Sequence, residues 1–115
     1  MTETRERKIK YFLDKRRGVY PYLEWVVDLE PVERNIVDRQ LGRVMMGNYG
    51  SHRSLGGGVF ELKFHNGLRI YFAEVDKTIV LLFSGGDKSS QTKDIKKAKE
   101  YKETLDKEGL EHCVK

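Results

Sequence analysis

VFELKFHNGLRIYFAEV, residues 59 to 75, sets two alternating apolar segments on either side of His65-Asn66-Gly67, and the register of that hairpin decides the fold. A two-residue Asn-Gly turn would pair residue 65 with 68 and set Lys63 opposite Ile70, mixing polar and apolar side chains on each face. A three-residue loop with Gly67 in the left-handed conformation pairs 64 with 68 instead. Phe60, Leu62 and Phe64 then meet Phe72, Ile70 and Leu68, which gives the continuous apolar face that a half-buried sheet requires. The other face carries Glu61, Lys63, Arg69 and Tyr71, with Lys63 opposite Arg69 and Glu61 opposite Tyr71. Two opposed cations cost roughly a few tenths of a kcal/mol. An anion is therefore expected beside them, either Glu61 or Asp87 from the chain or a bound ligand.

Outward from the hairpin, TIVLLFSG (78–85) is almost wholly apolar and predicts a central strand with neighbours on both sides. RKIKYFL (7–13) predicts an N-terminal strand ending at the turn-rich DKRRG. Pro21 opens a short helix with Leu23, Trp25, Val26 and Leu29 on one face, and Pro31 starts a second at a favoured first helical position. In that second helix Ile36, Val37, Leu41, Val44 and Met45 recur at helical spacing, and Gly47-Asn48 provides the stop. Trp25, Met45 and Met46 are assigned to packing. A last helix is capped near Ser89 or Ser90, with Ile95, Ala98, Tyr101 and Leu105 as its packing stripe. The expected architecture is α+β: an N-terminal strand, two helices, a three-stranded antiparallel meander and a C-terminal helix. It forms a single domain over residues 1–115, with a disordered tail at about 110–115.

LFSGGDKSSQTK (82–93) poses a separate question, whether it cradles a phosphate. Its glycines are adjacent and Asp87 separates them from Lys88, so it lacks the spacing of a nucleotide-binding P-loop. What remains is a strand end, a turn and a helix N-terminus beside a lysine, which suits one phosphate. The chain carries a net charge of +4, which favours a polyanionic partner without naming it. Its one cysteine, Cys113, permits no intrachain disulfide, so a reducing compartment is expected. The N-terminus lacks the apolar core of a signal peptide and no apolar run is long enough to span a bilayer, which points to the cytoplasm and no membrane partner. His52, His65 and His112 are scattered, so no metal site and no cofactor are expected.

The order of elements, together with GVFELKF, LRIYF and LLFSGGDKSSQTKDIKKAK, resembles the RelE/ParE toxin superfamily. More narrowly it is similar to the phage-derived addiction-module killer proteins, the branch related to host-inhibition (HigB-like) toxins. That branch has a Gly-x-x-Glu-Leu-Arg strand, an Arg-x-Tyr-Phe strand and a Gly-Gly-Asp-Lys-Ser-x-Gln-x-x-Asp-Ile segment. The similarity runs from about Trp25 to Lys99. Two departures stand out: Lys63 replaces the arginine of Glu-Leu-Arg, keeping the charge but losing the bidentate fork, and the turn before Arg69 is shortened.

The resemblance implies a type II toxin that cuts messenger RNA on the ribosome without a metal, inhibiting translation. The ribose 2′-hydroxyl attacks the adjacent phosphorus, so the protein must remove one proton, stabilise charge on phosphorus and protonate the leaving 5′-oxygen. By this resemblance Arg69 stabilises the charge, Lys88 and Lys63 exchange protons, and Tyr71 orients the phosphate or donates a proton. Arg39, Arg43, Glu61, Gln91 and Lys93 are expected to contact RNA. The implied partners are the messenger and a cognate antitoxin, a helix-turn-helix DNA-binding protein. Two alternatives stay open: a ParE-like gyrase poison that cuts no RNA, and a degenerate member with no catalysis.

Overall fold

The computed structural model describes residues 6 to 109; the tail expected at 110–115, with Cys113 and His112, lies outside them. In chain order the elements are β1 (Lys8–Tyr11), α1 (Pro21–Val26), α2 (Pro31–Met45), β2 (His52–Gly56), β3 (Val59–Lys63), β4 (Arg69–Val75), β5 (Ile79–Gly86), a 3₁₀ turn (Lys88–Ser90) and α3 (Gln91–Glu108). The mixed α and β content and the terminal helix agree with expectation. The three-stranded meander does not: one five-stranded sheet runs β1-β5-β4-β3-β2. β1 joins it by parallel pairing with β5, Lys8 to Ile79 through Tyr11 to Leu82, a contact between distant segments that periodicity cannot register. β2 is the other addition. Its sequence, HRSLG, is exposed along nearly its whole length, so it carries no apolar alternation to mark it as a strand.

The hairpin register is the expected one, with Phe60, Glu61, Leu62 and Lys63 opposite Phe72, Tyr71, Ile70 and Arg69. Gly67 adopts φ +95°, and Phe64 and Leu68 are joined by a backbone hydrogen bond of 3.0 Å, as a three-residue loop requires. β5 lies inside the sheet with a neighbour on each side, as its apolar run predicts.

The two faces of the sheet bury different cores. Leu62, Phe64, Leu68, Ile70, Phe72, Val80 and Leu82 pack against Tyr22 and Val26 of α1 and Val37 and Val44 of α2. On the opposite face Tyr71, Ala73, Leu81 and Phe83 pack with Phe12 and with Ala98, Tyr101 and Leu105 of α3. A bulge opposite Tyr71 and Phe72 lets β5 change side-chain phase where it approaches its end. α2 ends in a Schellman arrangement, with the Asn48 N–H donating to the Arg43 carbonyl and Gly47, at φ +89°, to that of Val44. Met45 and Met46, expected in the core, are exposed because they fall at this helix end, past Val44, the last buried position.

Candidate functional site

Pairing across the sheet builds a row of polar side chains beneath the start of α3. Arg53 of β2 opposes Glu61 of β3, Glu61 opposes Tyr71 of β4, and Tyr71 opposes Ser84 of β5. The next row toward the sheet end holds Lys63, Arg69 and Gly86, and Lys88 follows Gly86 by two residues. The backbone thus brings Lys63, Arg69 and Lys88 to one end of the sheet. Lys63 and Lys88 are exposed there, whereas Arg69 is only 8% exposed.

Glu61 is 0% exposed and organises the row. Its Oε1 accepts a hydrogen bond from Arg53 Nε at 2.8 Å, and its Oε2 accepts one from Gln91 Nε2 at 2.7 Å. Arg69 Nε approaches Oε2 at 3.7 Å, an ion pair without a hydrogen bond. Burial by itself would raise the Glu61 carboxyl, but the hydrogen bonds from Gln91 and Arg53 overcome that and hold it below its ordinary value. The anion expected beside the opposed cations is therefore in place, and it is Glu61.

Three buried polar atoms in these rows make no hydrogen bond: Arg69 Nε, the Tyr71 hydroxyl and Ser84 Oγ. Arg69 Nη1 reaches the carbonyls of Gly67 and Leu68 only at 3.4 Å each. Burial, followed by the charge of Glu61, pushes the Tyr71 phenol upward, so it stays protonated. Tyr71 is 0% exposed, so the phosphate contact expected of it has no open surface in this structure, whereas Arg69 keeps 8%. Glu61 is corrected in the same way, since its carboxylate is sealed and supports the site from within; Gln91 is half-buried and spends its amide N–H on Glu61.

The Gly-Gly-Asp-Lys-Ser segment has a packing logic of its own. A Cβ on Gly85 would fall 2.2 Å from Trp25 Cε3, and one on Gly86 would fall 1.9 Å from Asp94 Oδ2. Both glycines are needed to let a ring and a carboxylate lie on the backbone. Asp87 accepts hydrogen bonds from the N–H groups of Ser89 at 2.9 Å and Ser90 at 3.2 Å, so the turn's own carboxylate occupies the donors expected to hold phosphate. Asp94, which accepts a 2.5 Å hydrogen bond from Ser90 Oγ, has its pKa raised by burial and by the charge of Asp87. These two backbone donors are thus spent on the chain's own carboxylate.

Arg39 and Arg43 stand apart. They are exposed on α2, which covers the opposite face of the sheet, and Arg43 donates to Gln40 at 2.7 Å. Lys93, in contrast, is exposed in the first turn of α3, on the helix that packs over this face of the sheet. Sequence reasoning missed Arg53 and Ser84. The signal for Arg53 was LGGGV at 55–59, a glycine-rich hairpin connection that sets Arg53 opposite Glu61 once β2 is recognised. Ser84 had no signal beyond its place beside the glycines. Among the described residues no group of three His, Cys, Asp or Glu side chains is placed to hold a metal, and no helix is long and apolar enough to cross a membrane.

A protein from Haemophilus influenzae, described only as uncharacterized, is 40% identical over 65 residues. The match spans 55% of this chain and 66% of that protein, just under two thirds of its length. No family model matches the chain. No solved structure matches it.

Proposed function

We propose that this chain is the toxin of a type II toxin-antitoxin pair and acts as a metal-independent endonuclease on messenger RNA at the ribosome. The observation that carries this reading is Arg69: an under-satisfied, nine-tenths buried guanidinium at the sheet end, flanked in register by the exposed Lys63 and followed across β5 by Lys88. Buried donors without partners are costly unless a ligand engages them. A scissile phosphate would supply that ligand, with Arg69 stabilising charge on phosphorus and Lys63 and Lys88 moving protons to and from the ribose and the leaving oxygen. Glu61 holds Arg69 from below through their ion pair, and Lys93 adds a further exposed cation on α3. Messenger RNA and a helix-turn-helix antitoxin are the partners this reading implies, and the cytoplasm is its compartment.

The burial of Tyr71 favours the second reading, a gyrase poison or non-catalytic member, since it removes one candidate proton donor from the surface. Inducing the chain alone in cells separates the two. Growth arrest with new 5′ ends on cellular messages is expected, whereas arrest with intact messages and inhibited supercoiling would assign the chain to the gyrase-poison class.

A further inference from the structure

Resting on the reading of Arg69 as a phosphate ligand, we propose that Arg53 is a second arginine that grips the RNA backbone, with Glu61 as the pivot that presents both guanidinium groups. The two arginines address different oxygens of one carboxylate, Arg53 Nε at Oε1 and Arg69 Nε at Oε2. One negative charge thus faces two permanent cations, and one positive charge is left over in a cluster whose carboxylate has no exposure. Neutralising Glu61 requires only one of them. Arg53 serves Glu61 through its Nε, while its side chain is 52% exposed on β2, the edge strand of the sheet. Its two Nη groups supply four further N–H donors in a planar fork suited to phosphate oxygens. Arg69 is the complementary half, with its side chain 10% exposed, its Nε without a hydrogen bond and its Nη1 held only by long contacts. A buried arginine so poorly satisfied beside an exposed one tied to the same carboxylate is built to share an anion. Phosphates of one RNA strand fit that demand. The strand would run from the Lys63–Arg69 end of the sheet toward its β2 edge.

The test uses the full chain and a single-stranded RNA with 2′-O-methyl riboses, which binds without supplying the attacking hydroxyl. For Arg53→Gln, the slope of log affinity against log salt should fall by about 0.7, one phosphate contact on a single strand. Cleavage of the unmodified RNA should fall by about tenfold, less than the 10²–10³ lost with a sequestered oxyanion donor because Arg53 is half exposed. Should Arg53→Gln not fold, Arg53→Lys keeps a cation for Glu61 while removing the fork, and its cleavage should fall with the melting temperature held. An unchanged salt slope and unchanged cleavage, with only the melting temperature altered, would make Arg53 a structural neutraliser and overturn the inference alone. A parent chain that neither binds nor cuts RNA would overturn the functional reading and this inference with it.

Discussion

Removing one member of the Glu61 cluster should cost stability very differently depending on which member goes. Arg69→Gln leaves Glu61 with Arg53 and Gln91 still bonded to it, so the loss should be about 1 kcal/mol. Glu61→Gln leaves Arg69 buried with no counter-charge and should cost about 3 kcal/mol. Urea denaturation of the two variants gives the ordering; equal costs, or the reverse, would show that Glu61 is not the pivot. The pH dependence carries the same sign. The Glu61 carboxyl is depressed, so it contributes stability above its ordinary value of 4.5 and loses it as pH falls through the folded-state value. Asp94 is raised, so charging it costs stability as pH climbs from its ordinary 3.8 through the folded-state value. Unfolding free energy measured against pH should therefore fall less steeply on the acid side for Glu61→Gln, and more steeply for Asp94→Asn. Arg69 shows where sequence reasoning stopped at this scale: alternation put it on the polar face, but that face is covered by α3, so a polar position is here a buried one.

Among the elements, those with a strong period were legible and those held by distant pairing were not. The β3–β4 register followed from one constraint, that Phe60, Leu62 and Phe64 share a face with Leu68, Ile70 and Phe72. The α3 stripe of Ala98, Tyr101 and Leu105 followed from helical spacing in the same way. β2 left no trace because an exposed edge strand has no face to bury, and the parallel placement of β1 depends on β5, some seventy residues away. The turn between β4 and β5 is made by Asp76 and Lys77, both at positive φ, without the Asn-Gly that usually marks it. The strand-to-helix segment was legible as a turn but not in its purpose, since Gly85 and Gly86 answer to Trp25 and Asp94. Gly85→Ala should consequently destabilise the fold by about 2 kcal/mol, an overpacking cost against a ring that α1 and its neighbours hold in place. A denaturation midpoint unchanged by Gly85→Ala would mean that Trp25 is free to move, and that the glycine pair serves a ligand instead.

At the scale of the whole molecule, the sheet divides labour. Its α1–α2 face is a conventional apolar core, and its α3 face adds a polar row from Arg53 to Ser84, with the exposed Lys63 and Lys88 beyond it at the sheet end. The net charge of +4 suits a nucleic acid surface without specifying one, and the proposed RNA cleavage stands or falls on Arg69. The most direct measurement is the chemistry of the cut ends. Purified chain is incubated with translating ribosomes and message, and with message alone, and the new 3′ termini are identified for the parent chain and for Arg69→Gln. Termini bearing 2′,3′-cyclic phosphate with the parent, and their loss in a folded Arg69→Gln variant, are the expected result, because attack by the 2′-hydroxyl leaves that product. Intact message under both conditions, or equal cleavage by Arg69→Gln, would contradict the assignment of RNA cleavage to this site.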